Sequence, residues 1–133
     1  MLRFLFAILI AIAMPAHAGE WYIHTISTHV PRGPHRLSEF NYGLAYRWDS
    51  DWRVGAYRNS YDHPSAYATR VIDLSRAWHC GIGAVSGYRI GSGWGIREGR
   101  RSEVIPIAMI EWTPWPHMGI LVAPTVVNLE LRY

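Results

Sequence analysis

The chain has 133 residues, 13 basic and 10 acidic side chains, and a formal net charge of +3. That length holds one domain and is too short for two, and a single cysteine, Cys80, excludes an internal disulfide. Every basic side chain is arginine, the better bidentate partner for phosphate and carboxylate, so composition leaves nucleic acid and lipid head groups both open.

Residues 1–18 read as a cleaved signal peptide. Met1-Leu2-Arg3 is a short positive start, and the apolar run over 4–14 is shorter than the roughly 20 residues a spanning helix needs. Ala16-His17-Ala18 has the small-x-small form of a cleavage site. The alternative is an uncleaved anchor. Export argues against a nucleic-acid partner and leaves 19–133 as one domain. Its many tryptophans and tyrosines suit a membrane interface, although a sugar-binding surface would look similar.

From Glu20 onward the segments are short, aromatic and β-branched, with Gly, Pro, Asp and Ser between them, which predicts an all-β chain. Strand one is 20–29, and two prolines and a glycine make 30–38 a loop. Strand two, 39–48, alternates most cleanly: Phe40, Tyr42, Leu44, Tyr46 and Trp48 on one face, Asn41, Gly43, Ala45 and Arg47 on the other. The turn at 49–51 leads into strand three, 52–59, and the loop at 60–64 into strand four, 65–74. Strand five is 78–89, and a longer loop fills 90–102. Strand six is 103–112, 113–116 is a turn, strand seven is 117–123, and strand eight runs over 126–133. Strands five to seven alternate poorly, and Pro106 interrupts strand six. In strand eight, Val127, Leu129, Leu131 and Tyr133 alternate with Asn128, Glu130 and Arg132.

Eight strands with alternately short and long connections predict an eight-stranded antiparallel up-and-down membrane β-barrel, apolar outside, with short periplasmic turns and longer outer loops. Spanning strands need about 9–11 residues, so eight fit the domain tightly. The rival fold is a soluble secreted barrel or sandwich that binds an apolar ligand.

In the barrel reading the loops at 30–38, 60–64 and 90–102 share the outer rim. His29 starts the first of them and Asn59-Ser60 the second. A serine nucleophile needs a base, and the base a group to orient it, so His29 and Ser60 with one more polar residue could form a catalytic set. Gly43, Ala45, Gly55, Gly81 and Gly83 would either leave room for an acyl chain or mark close strand packing. His24, His35, His63, His79 and His117 show no metal-ligand spacing with Cys80 or a carboxylate. No phosphate-cradling glycine loop is present, because Gly91-Ser92-Gly93-Trp94-Gly95 lacks a following helix and lysine.

Several pieces then fall into one pattern: His29, Phe40-Asn41, Gly43-Leu44, Arg47-Trp48-Asp49, Trp52, Asn59-Ser60-Tyr61, Gly81-Ile82-Gly83 with Gly87, and Ile105-Pro106-Ile107. In these the chain resembles the lipid A palmitoyltransferase (PagP) family, small outer-membrane barrels that move a palmitoyl chain from a phospholipid to lipid A. The resemblance covers about 29–123 at low identity. It implies His29 as base, Ser60 as nucleophile or activated hydroxyl, and Asn59 as orienter, where the family has an aspartate. It also places Arg32, Arg36, Asn41, Arg58, Tyr61, Arg97, Arg100 and Arg101 at the substrate, the arginines either holding lipid A phosphates or serving as solvated loop charges that only fix topology. Further expectations are a monomer in the outer membrane of a Gram-negative bacterium, phospholipid and lipid A as partners, and no cofactor or metal. The alternative class is a non-catalytic barrel that binds lipid A or supports the envelope, which Asn59 favours.

Overall fold

The computed structural model of the protein describes residues 19–29, 37–91, 96–100, 102–124 and 126–133. The expected signal peptide at 1–18, and Arg32, Arg36 and Arg101, lie outside the described residues. The strands are β1 (Glu20–His29), β2 (Gly43–Arg47), β3 (Trp52–Arg58), β4 (Pro64–Asp73), β5 (Trp78–Ser86), β6 (Tyr88–Ile90), β7 (Ile96–Glu98), β8 (Val104–Trp115), β9 (Met118–Ala123) and β10 (Val126–Arg132). Eight of them close an antiparallel barrel in the order β1-β10-β9-β8-β5-β4-β3-β2, while β6 and β7 form a separate hairpin. The all-β, eight-stranded, up-and-down architecture expected from alternation is the observed one. The short β2–β3, β4–β5 and β8–β9 turns share one end, here the lower rim, with the chain ends, where Trp21 and Tyr133 exchange backbone hydrogen bonds of 2.9 and 3.0 Å.

Period-2 alternation sets the two faces. Arg53, Gly55, Ser65, Tyr67, Thr69, Val71, Gly81 and Val85 are buried inward, while Trp52, Val54, Ile72, Ile82, Ile110 and Val122 are exposed outward. Aromatic rings gather near the lower rim. Tyr46 packs between Trp21 and Trp48, with ring centroids 4.8 and 5.0 Å away, and Trp78 stacks on Trp112 at 6.0 Å.

Two bulges correct the simple pattern. On β1 the register shifts between His24, opposite Glu130, and Ser27, opposite Asn128. One extra residue is taken up there, and Thr25 Oγ1 donates to the Leu129 carbonyl at 2.7 Å. His24 and His29 are five apart, so a regular strand would turn them to opposite faces; the bulge leaves both buried in the lumen. On β8 the register shifts between Trp112 and Trp115. The strand therefore continues through 113–115, where a turn was expected, because a bulge accommodates Pro114.

Three other expected boundaries move. Strand two is shorter than 39–48: its ladder with β1 begins at Gly43, opposite His24, and 38–42 is held by other bonds. Ser27 N donates to Glu39 O at 2.8 Å and Ser38 N to Ser60 O at 2.9 Å. Strand five ends at Ser86, because Gly87 takes φ +83°, a left-handed conformation that redirects the chain into the β6–β7 hairpin. That hairpin occupies part of the expected 90–102 loop. Pro106 does not end its strand but stands opposite Ala84 of β5. The ladder between β8 and β9 starts only at Ile110–Val122, so β8 over 104–109 has one partner strand, an edge setting that tolerates proline.

Candidate functional site

The inward side chains sort into layers. Nearest the lower rim lie ion pairs, in which Arg47 holds Asp73 at 2.9 Å and Asp51 at 3.0 Å and Arg132 holds Glu20 at 2.8 Å. Above them a buried charge cluster fills the barrel. Arg53 is 1 % exposed and meets Glu111 through one guanidinium nitrogen and Glu130 through the other, at 3.4 Å. Its guanidinium lies 3.8 Å from the Tyr22 ring centroid. His24 caps the cluster, with Nδ1 2.7 Å from Glu130 and Nε2 3.0 Å from the Tyr67 hydroxyl. Gly55 leaves no spare room at this level, since a Cβ there would stand 2.6 Å from the Tyr67 ring and 2.7 Å from Ala45. Close packing is thus what that glycine serves.

Above this floor is a cavity of about 60 Å³ that opens to the outside. Its apolar wall includes Val85, Ile107, Met109, Leu121, Ala123 and Val126, and its polar wall Ser27, Asn41, Ser60 and Tyr88. Ile107 belongs to the half-paired stretch of β8, and Leu121 and Ala123 of β9 line the same cavity.

At the upper edge the structure brings His29 and Ser60 together: His29 Nε2 is 2.6 Å from Ser60 Oγ. His29 is delivered by the end of β1 and Ser60 by the turn after β3, with β2 between them in the sheet. Asn41 joins them, its Nδ2 donating to Ser27 Oγ at 2.8 Å and to Ser60 Oγ at 3.2 Å. A serine hydroxyl that donates to a neutral imidazole is the geometry of a nucleophile beside its base.

Asn59 is buried but is not part of this contact. Its Oδ1 accepts from the Tyr61 and His63 backbone N–H groups, both at 3.0 Å, and its Nδ2 donates to Ser65 Oγ at 2.9 Å. These bonds shape the 59–63 turn, in which Asp62 takes positive φ. His29 Nδ1 is buried with no hydrogen-bond partner among the described residues. The expected orienter of the imidazole is therefore turned away from it.

The other expected substrate residues separate. Arg58 pairs with Asp62, and that hydrogen-bonded guanidinium holds the Asp62 carboxyl below the usual range. Tyr61 donates to the Ile96 carbonyl at 3.5 Å and packs on Tyr88, 6.2 Å between centroids, tying the turn to the hairpin. Tyr88 accepts from the Tyr57 hydroxyl at 3.2 Å, and burial pushes its own hydroxyl pKa up. Arg97 and Arg100 are exposed around β7, away from the cavity lining. Sequence reading missed Ser27, Tyr57, Tyr67 and Tyr88, and with them the charged floor. The floor had a signal: Arg53, Glu111 and Glu130 each stand between two apolar residues in a strand.

No protein-family profile matches the chain, and no curated protein matches it. Among solved structures the chain is similar to the outer membrane protein Ail of Yersinia pestis, whose backbone structure was determined in a phospholipid bilayer nanodisc. The two share 17% identity over 86% of this chain and 98% of that one, with a TM-score of 0.42.

Proposed function

We propose that this chain is an outer-membrane barrel that moves a fatty acyl chain from a phospholipid to lipid A at its upper rim, as its resemblance to the PagP family implies. The observation that carries the reading is the 2.6 Å contact between His29 and Ser60 above an apolar cavity. The apolar outward face and the lower aromatic belt support the membrane setting, with the short turns on the periplasmic side.

In this reading the donor's acyl chain lies in the cavity with its ester carbonyl at Ser60. His29 takes the Ser60 proton as Oγ attacks the carbonyl carbon, and an Asn41 N–H faces the oxyanion that forms. The ester bond breaks, and the lysophospholipid oxygen leaves with the proton from His29. A lipid A hydroxyl then attacks the acyl-serine, giving its proton to His29. The new ester departs, and Ser60 recovers its proton from the imidazolium.

The test is mass spectrometry of lipid A from cells expressing the full chain, Ser60→Ala or His29→Ala. The wild type is expected to add the mass of one acyl group and both variants to add none. If wild-type expression adds no acyl mass, the transferase reading fails.

A second reading, a non-catalytic lipid-binding barrel, is favoured by His29 Nδ1, to which no acid is hydrogen-bonded among the described residues. Unaltered lipid A with the barrel in the outer-membrane fraction would support it. Recovery in the soluble periplasmic fraction without detergent would instead support a soluble barrel with an apolar ligand.

A further inference from the structure

Between the rims, the outward face of the barrel carries one charged side chain without a protein partner among the described residues, Arg70 on β4. Its neighbours Thr69 and Val71 are buried inward, so Arg70 points outward, and it is exposed. Across the sheet it stands opposite Trp52 of β3 and Ile82 of β5, both exposed on the same face. One step toward the lower rim Ile72 stands opposite Cys80, and below them is the 74–77 turn with the exposed Arg76. The nearest acid along the strand, Asp73, is engaged by Arg47 at 2.9 Å and by His79 at 2.6 Å. Neither Arg70 nor Arg76 forms an ion pair among the described residues.

An arginine on the lipid face of a barrel is costly at the bilayer midplane and cheap near an interface. Arg70 is three residues from the end of β4. At a rise of about 3.3 Å per residue and a tilt of about 45°, that places its backbone roughly 7 Å above the strand end. An arginine stem can cover that span along apolar surface and bring its head to the interface. Trp52 and Trp78 flank the path on the neighbouring strands. At that depth the anion on offer is the phosphodiester of a lipid headgroup, which matches the guanidinium fork.

We infer that Arg70, with Trp52 beside it and Arg76 below, is a binding site for the phosphodiester headgroup of a phospholipid in the periplasmic leaflet. The inference rests on the membrane part of the proposed function and is independent of acyl transfer.

The test is native mass spectrometry of the full chain folded into nanodiscs that contain phosphatidylglycerol, phosphatidylethanolamine or the phosphate-free monogalactosyldiacylglycerol. Wild type is expected to leave the disc with a bound phospholipid of either class and with at least fivefold less of the galactolipid. Arg70→Gln is expected to lose at least fivefold of the phospholipid adduct, and Arg70→Lys less. Arg89→Gln, on the upper hairpin, is expected to change nothing. Equal retention by wild type and Arg70→Gln would overturn the site, as would equal retention of the galactolipid. A wild-type barrel that does not insert would overturn the membrane reading itself. Circular dichroism of each inserted variant separates loss of lipid from loss of fold.

Discussion

Removing Arg53 tests the buried cluster most directly. Arg53 is 1 % exposed, Glu130 0 % and Glu111 3 %, and one guanidinium serves both carboxylates. Replacing it with Met keeps volume and takes the guanidinium from both acids, leaving Glu130 with His24 alone. Breaking a buried pair by deleting one partner costs about 3–5 kcal/mol. Both carboxylates lose that guanidinium and the Tyr22 ring loses its nearer cation, Arg132 remaining at 5.4 Å, so the upper end, about 5 kcal/mol, is expected. The reverse comparison is as informative: Arg53→Met combined with Glu111→Gln and Glu130→Gln removes the charges together, and replacing a buried ionic cluster whole is often neutral or stabilising. The assay is urea unfolding of the barrel folded into micelles, followed by tryptophan fluorescence. A destabilisation of less than about 1 kcal/mol in the single variant, or a triple variant no more stable than the single one, would refute the account of the floor as a mutually dependent charge cluster.

Two more outcomes follow from the upper rim. Asn59→Asp places the acid of the PagP family at this position, yet the side chain would still face the Tyr61 and His63 amides and not His29. No gain in lipid A acylation is expected, and a tenfold gain would show that the turn re-forms around an acid–histidine pair. Gly87→Ala forces an L side chain into φ +83° with its Cβ 2.5 Å from Ser65 Oγ. A cost of about 1–3 kcal/mol is expected, concentrated in the hairpin. Faster trypsin cleavage at Arg89 or Arg97 in the folded barrel would report it, and an unchanged cleavage rate would count against a strained hinge.

Much of the barrel was written in local pattern. Alternation along 52–58 and 126–132 separates an apolar outer face from a polar or small inner one whatever the partner strands, because strand side chains have period two. Turn residues between those runs marked out the eight barrel strands and the rim to which each connection belongs, but not the β6–β7 hairpin. The pairing of His29 with Ser60 was legible only as two residues whose strands end at one rim.

Tertiary structure decided the rest. The β1 bulge, visible only against the register of β10, lets His24 and His29 share the lumen although they are five residues apart. Local hydrogen bonding turned Asn59 into the scaffold of its own turn. The charged floor joins Arg53, Glu111 and Glu130 from β3, β8 and β10, which become neighbours across the lumen only when the sheet closes. Away from the bulges, sequence determined which face a strand side chain takes, because that depends on adjacent residues. Closure decided which inward side chains meet, because that depends on register summed around the whole barrel.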